Sequence, residues 1–238
     1  MSKKHIIFGA TGSIGAALAD QLYQDKVDCH LVGRNGEEVK KIAAKLNYTY
    51  SICNVLELNF IKKLKEELNS TEILGIAYCV GSIDIKPLKL TQAKDFVSSY
   101  VLNLVAVTDI IRSFEDNLKR NNGSVVLFST VAAKKGFANH SIISSSKGAI
   151  EGLTVALAAE LSPNIRINCI APSITKSKIS NFLLKNSKSE ELIAKMHPLK
   201  KIGKGIDSAN LASFLLSKNS SWITGQVIAV DGGRSTIA

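Results

Sequence analysis

Apolar residues in this chain recur in two alternating spacings. Short runs at residues 5–9, 29–33, 48–53, 73–80, 124–129, 166–170 and 227–230 are rich in Ile, Val, Leu and Cys, and several show no polar alternation. Strands covered on both faces have this pattern. Between them, residues 14–24, 37–46, 58–68 and 209–216 place apolar side chains three and four apart, the spacing of amphipathic helices. Strand and helix alternate from one end to the other. That predicts an α/β fold, a doubly wound parallel seven-stranded sheet of Rossmann type forming a single domain over residues 1–238. The one long departure, at about 172–204, reads as a lid-like insertion, because long connections in compact domains are usually functional.

Composition agrees. With 238 residues, 45% hydrophobic and 21% charged, the chain can bury one large core, which excludes disorder. Charged residues are expected to interrupt each apolar stretch before it reaches the roughly 18 residues of a membrane span. Lys3 and Lys4, followed by an apolar stretch ending Ala17-Leu18-Ala19, resemble a secretory signal. Three glycines make a poor signal core, however, and a strand, turn and helix fit better. Cys29, Cys53, Cys79 and Cys169 fall in expected strands without metal-ligand spacing, as buried thiols of a reducing cytoplasm would. The net charge is +10, and eight lysines against Glu190 and Glu191 crowd residues 176–204. That segment would attract an anion, or is simply well solvated. Nucleic acid is not expected as a partner, since no arginine stripe or aromatic stacking series is present.

Chemistry is legible first after the opening strand, at Gly9-Ala10-Thr11-Gly12-Ser13-Ile14-Gly15. Glycines allow a tight turn and bring the backbone close to a pyrophosphate, whose charge then meets the free N–H groups of the following helix. A second strand ends at Gly33-Arg34, about 18 residues further on. An acidic side chain here would select NAD; Arg34 beside a bare glycine suits the 2′-phosphate of NADP, with NAD the lesser alternative.

Later motifs extend the pattern. Asn103-Leu104, the strand at 124–130, Lys147-Gly148-Ala149, Arg166-Ile167-Asn168 running to Pro172, and Thr224-Gly225-Gln226 before Asp231-Gly232-Gly233 occur in order. Together with the glycine turn they resemble the short-chain dehydrogenase/reductase family along essentially the whole chain. The resemblance implies hydride transfer between a nicotinamide and a small-molecule carbonyl or alcohol. It assigns catalytic roles to Asn103, Thr130 and Lys147. It assigns cofactor contacts to Gly9, Thr11, Gly12, Ser13, Ile14, Gly15, Arg34, Asn54, Val55, Val80, Gly81, Lys147, Pro172, Ile174 and Thr175. It also implies a homo-oligomer, a two-fold symmetric tetramer or a dimer, and small residues Gly148, Ala149, Gly152, Ala156, Ala158 and Ala159 suit close helix pairing.

One departure matters. The family's proton-donating tyrosine lies four residues before the lysine, and here that position is Ile143. Thr130, with Ser129 beside it, keeps the hydroxyl site. His140 and Ser144 lie seven and three residues before Lys147, on its helical face, and are candidate substitutes. Three readings stay open: an NADP-dependent oxidoreductase with a rearranged proton donor, an inactive NADP-binding sensor or scaffold, or dehydratase- or isomerase-like chemistry on the same fold. In the insertion, Ile174, Ile179, Phe182, Leu183 and Leu184 are expected to form an apolar wall.

Overall fold

The computed structural model describes residues 2–237. Its strands are β1 (Ser2–Phe8), β2 (Cys29–Gly33), β3 (Thr49–Ile52), β4 (Thr71–Tyr78), β5 (Ser124–Phe128), β6 (Arg166–Pro172) and β7 (Val227–Val230). All pair in parallel, in the order β3-β2-β1-β4-β5-β6-β7. The winding reverses between β1 and β4, so a crevice opens beyond the carboxyl ends of these two strands.

Helices cover both faces. On one side lie α1 (Ser13–Gln24), α2 (Gly36–Leu46) and, from the far end of the chain, α8 (Gly205–Leu216). They bury Leu18, Val39 and Leu215 against Ile7 and Leu31. On the other lie α3 (Phe60–Glu67), α4 (Ala93–Tyr100), α5 (Ala106–Arg120) and α6 (Ser141–Leu161). Leu64, Ile110, Phe114 and Ile150 meet Ile6, Phe8 and Ile167 there. Because both faces are covered, the strands carry continuous apolar runs rather than alternating ones.

Several expectations need correction. The strands expected at 5–9, 48–53, 73–80 and 124–129 overrun by one or two residues at their carboxyl ends, β1 and β4 start three and two residues earlier than expected, and β6 runs two residues further. Cys53 and Cys79 consequently lie just past β3 and β4, and Cys79 is only half-buried. The helix expected at 58–68 starts at Phe60, with Leu58 exposed. The insertion is structured: Pro172 ends β6, a 3-10 turn spans Lys178–Ser180, α7 spans Ser187–Lys195, and Thr175 pairs with Gly203. Three of its eight lysines are ion-paired, Lys176 with Glu190, Lys178 with Glu38 and Lys195 with Glu191. The stretch Ala93–Arg120 has the length and mean hydropathy of a membrane-crossing helix, although Asp95 and Asp109 interrupt it as expected from charge spacing. Its Ala106, Val107, Ile110, Ile111, Phe114 and Leu118 pack into the domain core.

Between α1 and α8 the backbones touch. A Cβ built on Gly205 would lie 2.1 Å from the carbonyl oxygen of Ser13. Gly205→Ala is therefore expected to push the two helices apart and destabilise the fold by about 1–3 kcal/mol, the usual cost of overpacking. Urea unfolding measures this, and an unchanged midpoint would show that the contact yields freely.

Candidate active site

The crevice floor is built from backbone. Gly9 has φ +74°, and a Cβ on it would lie 2.9 Å from the carbonyl carbon and oxygen of Cys79. A Cβ on Gly15 would meet the Gly9 carbonyl oxygen at 2.4 Å. Only glycine lets β1 turn into α1 at this spacing. No side chain caps α1 and no acidic residue sits in its first turn, which leaves the helix start to an anion. Gly33, at the end of β2, faces the Thr11 side chain, and Arg34 beyond it is exposed. Asn54 is partly committed, its Oδ1 accepting the Leu56 N–H at 3.2 Å, and Val55 is buried next to it. Ser13 also donates its hydroxyl to the Lys176 carbonyl at 2.7 Å, tying the helix start to the insertion.

Deeper in the crevice, Gly81 faces a polar pair. A Cβ there would lie 3.2 Å from Asn103 Oδ1 and 3.3 Å from Lys147 Nζ. Asn103 is fully buried, on a π-helical turn (Val101–Val105) between α4 and α5. Such turns interrupt the regular ladder and recur at functional sites. Its amide donates to the Ser99 carbonyl at 2.9 Å, and Ser99 Oγ meets Ser146 Oγ of α6 at 2.8 Å. Oδ1 has no partner among the described residues. Lys147 is 7% exposed and donates from Nζ to the Phe128 carbonyl at 2.9 Å. Burial, opposed by the neighbouring Cys169 and Cys79 thiols, pulls it down to about 8. An ammonium with donors to spare and a buried amide oxygen without one fit a hydroxyl-bearing ligand such as a nicotinamide ribose.

Two hydroxyls follow β5. Ser129 is buried and committed to the Lys147 carbonyl at 3.1 Å and Glu151 Oε1 at 2.9 Å. Thr130 accepts the Ala132 N–H at 3.3 Å, which leaves its own O–H to donate. Ile143 is 4% exposed and has no proton to give. His140 and Ser144 line an adjoining open cleft of about 380 Å³ with Leu88, Ala132, Ala133 and Phe137. His140 Nδ1 lies 2.7 Å from the Ala138 carbonyl, which can only accept, so Nδ1 carries a proton. The expected apolar wall does not line that cleft; Ile179 and Phe182 are exposed. Pro172 is buried, Ile174 accepts the Gly203 N–H, and Thr175 donates to the Ser173 carbonyl at 3.1 Å.

Other phenols are engaged elsewhere. Tyr78 donates to the Leu102 carbonyl at 2.7 Å, on the π-helical turn, and Tyr100 donates to the Ser145 carbonyl at 3.2 Å. Sequence reading missed His197, which is 2% exposed at the end of the insertion. It bridges Ser173 Oγ and the Ile193 carbonyl, each at 2.9 Å. Its motif context carried no signal.

The comparisons agree with this geometry. The family described as Enoyl-(Acyl carrier protein) reductase matches residues 9–235. This chain belongs to the short-chain dehydrogenase/reductase family. It is 32% identical to a rat (Rattus norvegicus) protein named dehydrogenase/reductase SDR family member 4, over 98% of this chain and 87% of that one. A tropinone reductase homolog of Arabidopsis thaliana is 31% identical, over 97% of this chain and 91% of its own. A gluconate 5-dehydrogenase from Burkholderia cenocepacia, solved in complex with NADP and tartrate, superposes with a TM-score of 0.92 at 20% identity, covering 100% of this chain and 97% of that one. As a family member the chain is an oxidoreductase with a Rossmann-type fold.

The Lys147 environment predicts a pH dependence. Between about 8 and the ordinary lysine value of 10.5, the unfolded chain holds a proton that the folded chain has released. Stability relative to Lys147→Met should therefore rise from pH 8 to pH 10.5 and be level below pH 8. Urea unfolding of both proteins across that range is the measurement. A level difference throughout would mean that the ammonium is solvated.

Proposed function

We propose that this chain is an NADP(H)-dependent oxidoreductase acting on a small-molecule carbonyl or alcohol, with a proton donor other than the family's tyrosine. The observation that carries the proposal is the intact cluster of Gly81, Asn103 and buried Lys147 beside a substituted Ile143. Holding an ammonium in the core is costly, and nothing in the packing of α6 requires one at this position. When bound, the nicotinamide supplies or accepts the hydride. Lys147 Nζ and Asn103 Oδ1 hold its ribose hydroxyl, Gly81 leaves room for it, and the glycine turn with the start of α1 seats the pyrophosphate. Thr130 Oγ1 donates to the substrate oxygen and orients it. His140, whose Nε2 is free, passes the proton, with Ser144 beside it as a relay. Arg34 supports NADP over NAD, and the Burkholderia relative solved with NADP is consistent with that choice.

A second reading, an inactive NADP-binding sensor or scaffold, is favoured by Ile143 alone. A cytoplasmic location is supported by four free cysteines. A two-fold symmetric oligomer is supported by an uncovered apolar face. Val97 is exposed on α4, Val101 and Val105 on the π-helical turn after it, and Val155, Gly152, Ala156 and Ala159 along α6, whereas Ala158 turns into the core.

Fluorescence titration should show NADPH binding about ten- to a hundredfold tighter than NADH, the worth of a charge-assisted contact of about 1.5–3 kcal/mol. Arg34→Ala should remove most of the preference and spare NADH. Equal affinities in the wild type would reject the NADP assignment.

Turnover is read by NADPH consumption against a broad carbonyl panel, and Lys147→Ala should abolish it. Ile143→Tyr should raise the rate, by up to about 10²–10⁴-fold, because positioned general acids contribute that much. Tight NADPH binding without Lys147-dependent turnover would favour the sensor, and turnover surviving His140→Ala would remove His140 as donor.

A further inference from the structure

The insertion sends one side chain across the cofactor groove. Its first segment leaves β6 on one side of the crevice and is firmly built. The Lys176 N–H donates to the Gly203 carbonyl at 2.9 Å, and the Lys176 carbonyl accepts from Ser13 at 2.7 Å. Ser180 is 1% exposed and donates to the Thr175 carbonyl at 2.7 Å. From this strap Lys178 reaches Glu38 on α2, which lies 140 residues earlier in the chain and on the far lip. The strap thus joins the residue that follows the second glycine of the turn, Ser13, to the first turn of α2.

The acceptor is oddly placed for an NADP site. Glu37 and Glu38 occupy the first turn of α2, directly after Arg34 and the capping residue Asn35, whose Oδ1 accepts the Glu38 N–H at 3.2 Å. Carboxylates there suit the helix dipole, but they repel a phosphate dianion seated beside Arg34. Lys178 cancels one of those charges. Its side chain is 77% exposed and that of Glu38 is 39% exposed, so their ion pair is weak and readily exchanged.

We infer that Lys178 is a specificity-determining residue, the second cation of the 2′-phosphate seat. It is parked on Glu38 in the free chain and shared with the phosphate when the cofactor is bound. The inference rests on the NADP reading and adds to Arg34 a contact from the opposite lip of the groove. A phosphate held from both lips also keeps the strap over the cofactor.

Binding titrations on the full chain test it, with NADPH, NADH, 2′,5′-ADP and ADP as probes. Lys178→Ala should weaken NADPH and 2′,5′-ADP by about three- to tenfold while leaving NADH and ADP within about twofold, as for a partly exposed charge-assisted contact. Glu38→Gln should tighten the phosphate-bearing probes by about two- to fivefold, and both effects should shrink at about 0.5 M salt. Equal weakening of all four probes by Lys178→Ala would make the residue a fastener of the strap and overturn the inference, as would no change in any. If Arg34→Ala lowers the NADPH preference and Lys178→Ala leaves it unchanged, the NADP reading stands and the inference falls. Equal wild-type binding of NADPH and NADH would overturn both.

Discussion

Three stretches of backbone meet at the start of α1 with no side chain between them. Gly15 lies against the Gly9 carbonyl, Gly9 against the backbone of Cys79 and Val80, and Gly205 against the carbonyl of Ser13. Everything around the crevice takes its position from this crossing. It fixes where α1 begins relative to β1 and β4, and thus where an anion meets free N–H groups. It places α8, from the far end of the chain, against α1. It also anchors the insertion, because Ser13, the first residue of α1, donates its hydroxyl to the Lys176 carbonyl. A methyl group at any of the three glycines would displace the start of α1 and, through Ser13, the insertion with it.

The second organising cost is the buried ammonium of Lys147. Its desolvation is only partly offset by the Phe128 carbonyl, and the free Asn103 Oδ1 beside it is likewise unsatisfied. Unfulfilled hydrogen-bonding capacity of this kind is retained where a ligand completes it. The surrounding groups keep the pair in place: Ser99 and Ser146 link α4 to α6, and Tyr78 satisfies a carbonyl released by the π-helical turn. On the proposed reading Lys147 and Asn103 would hold the nicotinamide ribose, while the position of the family's tyrosine hydroxyl is taken by buried Ile143, so that the proton would come from another group. The neighbouring cleft offers His140, whose tautomer is set by a backbone carbonyl.

Much of this was written in the chain. Local rules sufficed for the seven strands, the glycine turn, Arg34 at the end of β2 and the replacement at position 143, because each depends on residues adjacent in sequence or at a fixed motif spacing. Strand ends were misjudged where apolar turn residues such as Cys53 and Cys79 continue the strand pattern. The charge of residues 176–204 was counted correctly but its partners were not, since Glu38 lies 140 residues away.

What the sequence determined by itself was the architecture and the class of chemistry, because hydrophobic period, backbone-permissive glycines and motif order are properties of the chain read in one dimension. Only the tertiary structure decided which polar groups go without partners and which charges are matched. It committed Ser129 to α6, left Asn103 Oδ1 open, turned Tyr78 to a structural bond, set His197 inside the base of the insertion and carried Lys178 across to Glu38. Desolvation and hydrogen-bond satisfaction depend on what surrounds a group in three dimensions. The parallel crossovers of this fold bring those surroundings from segments far apart in the chain.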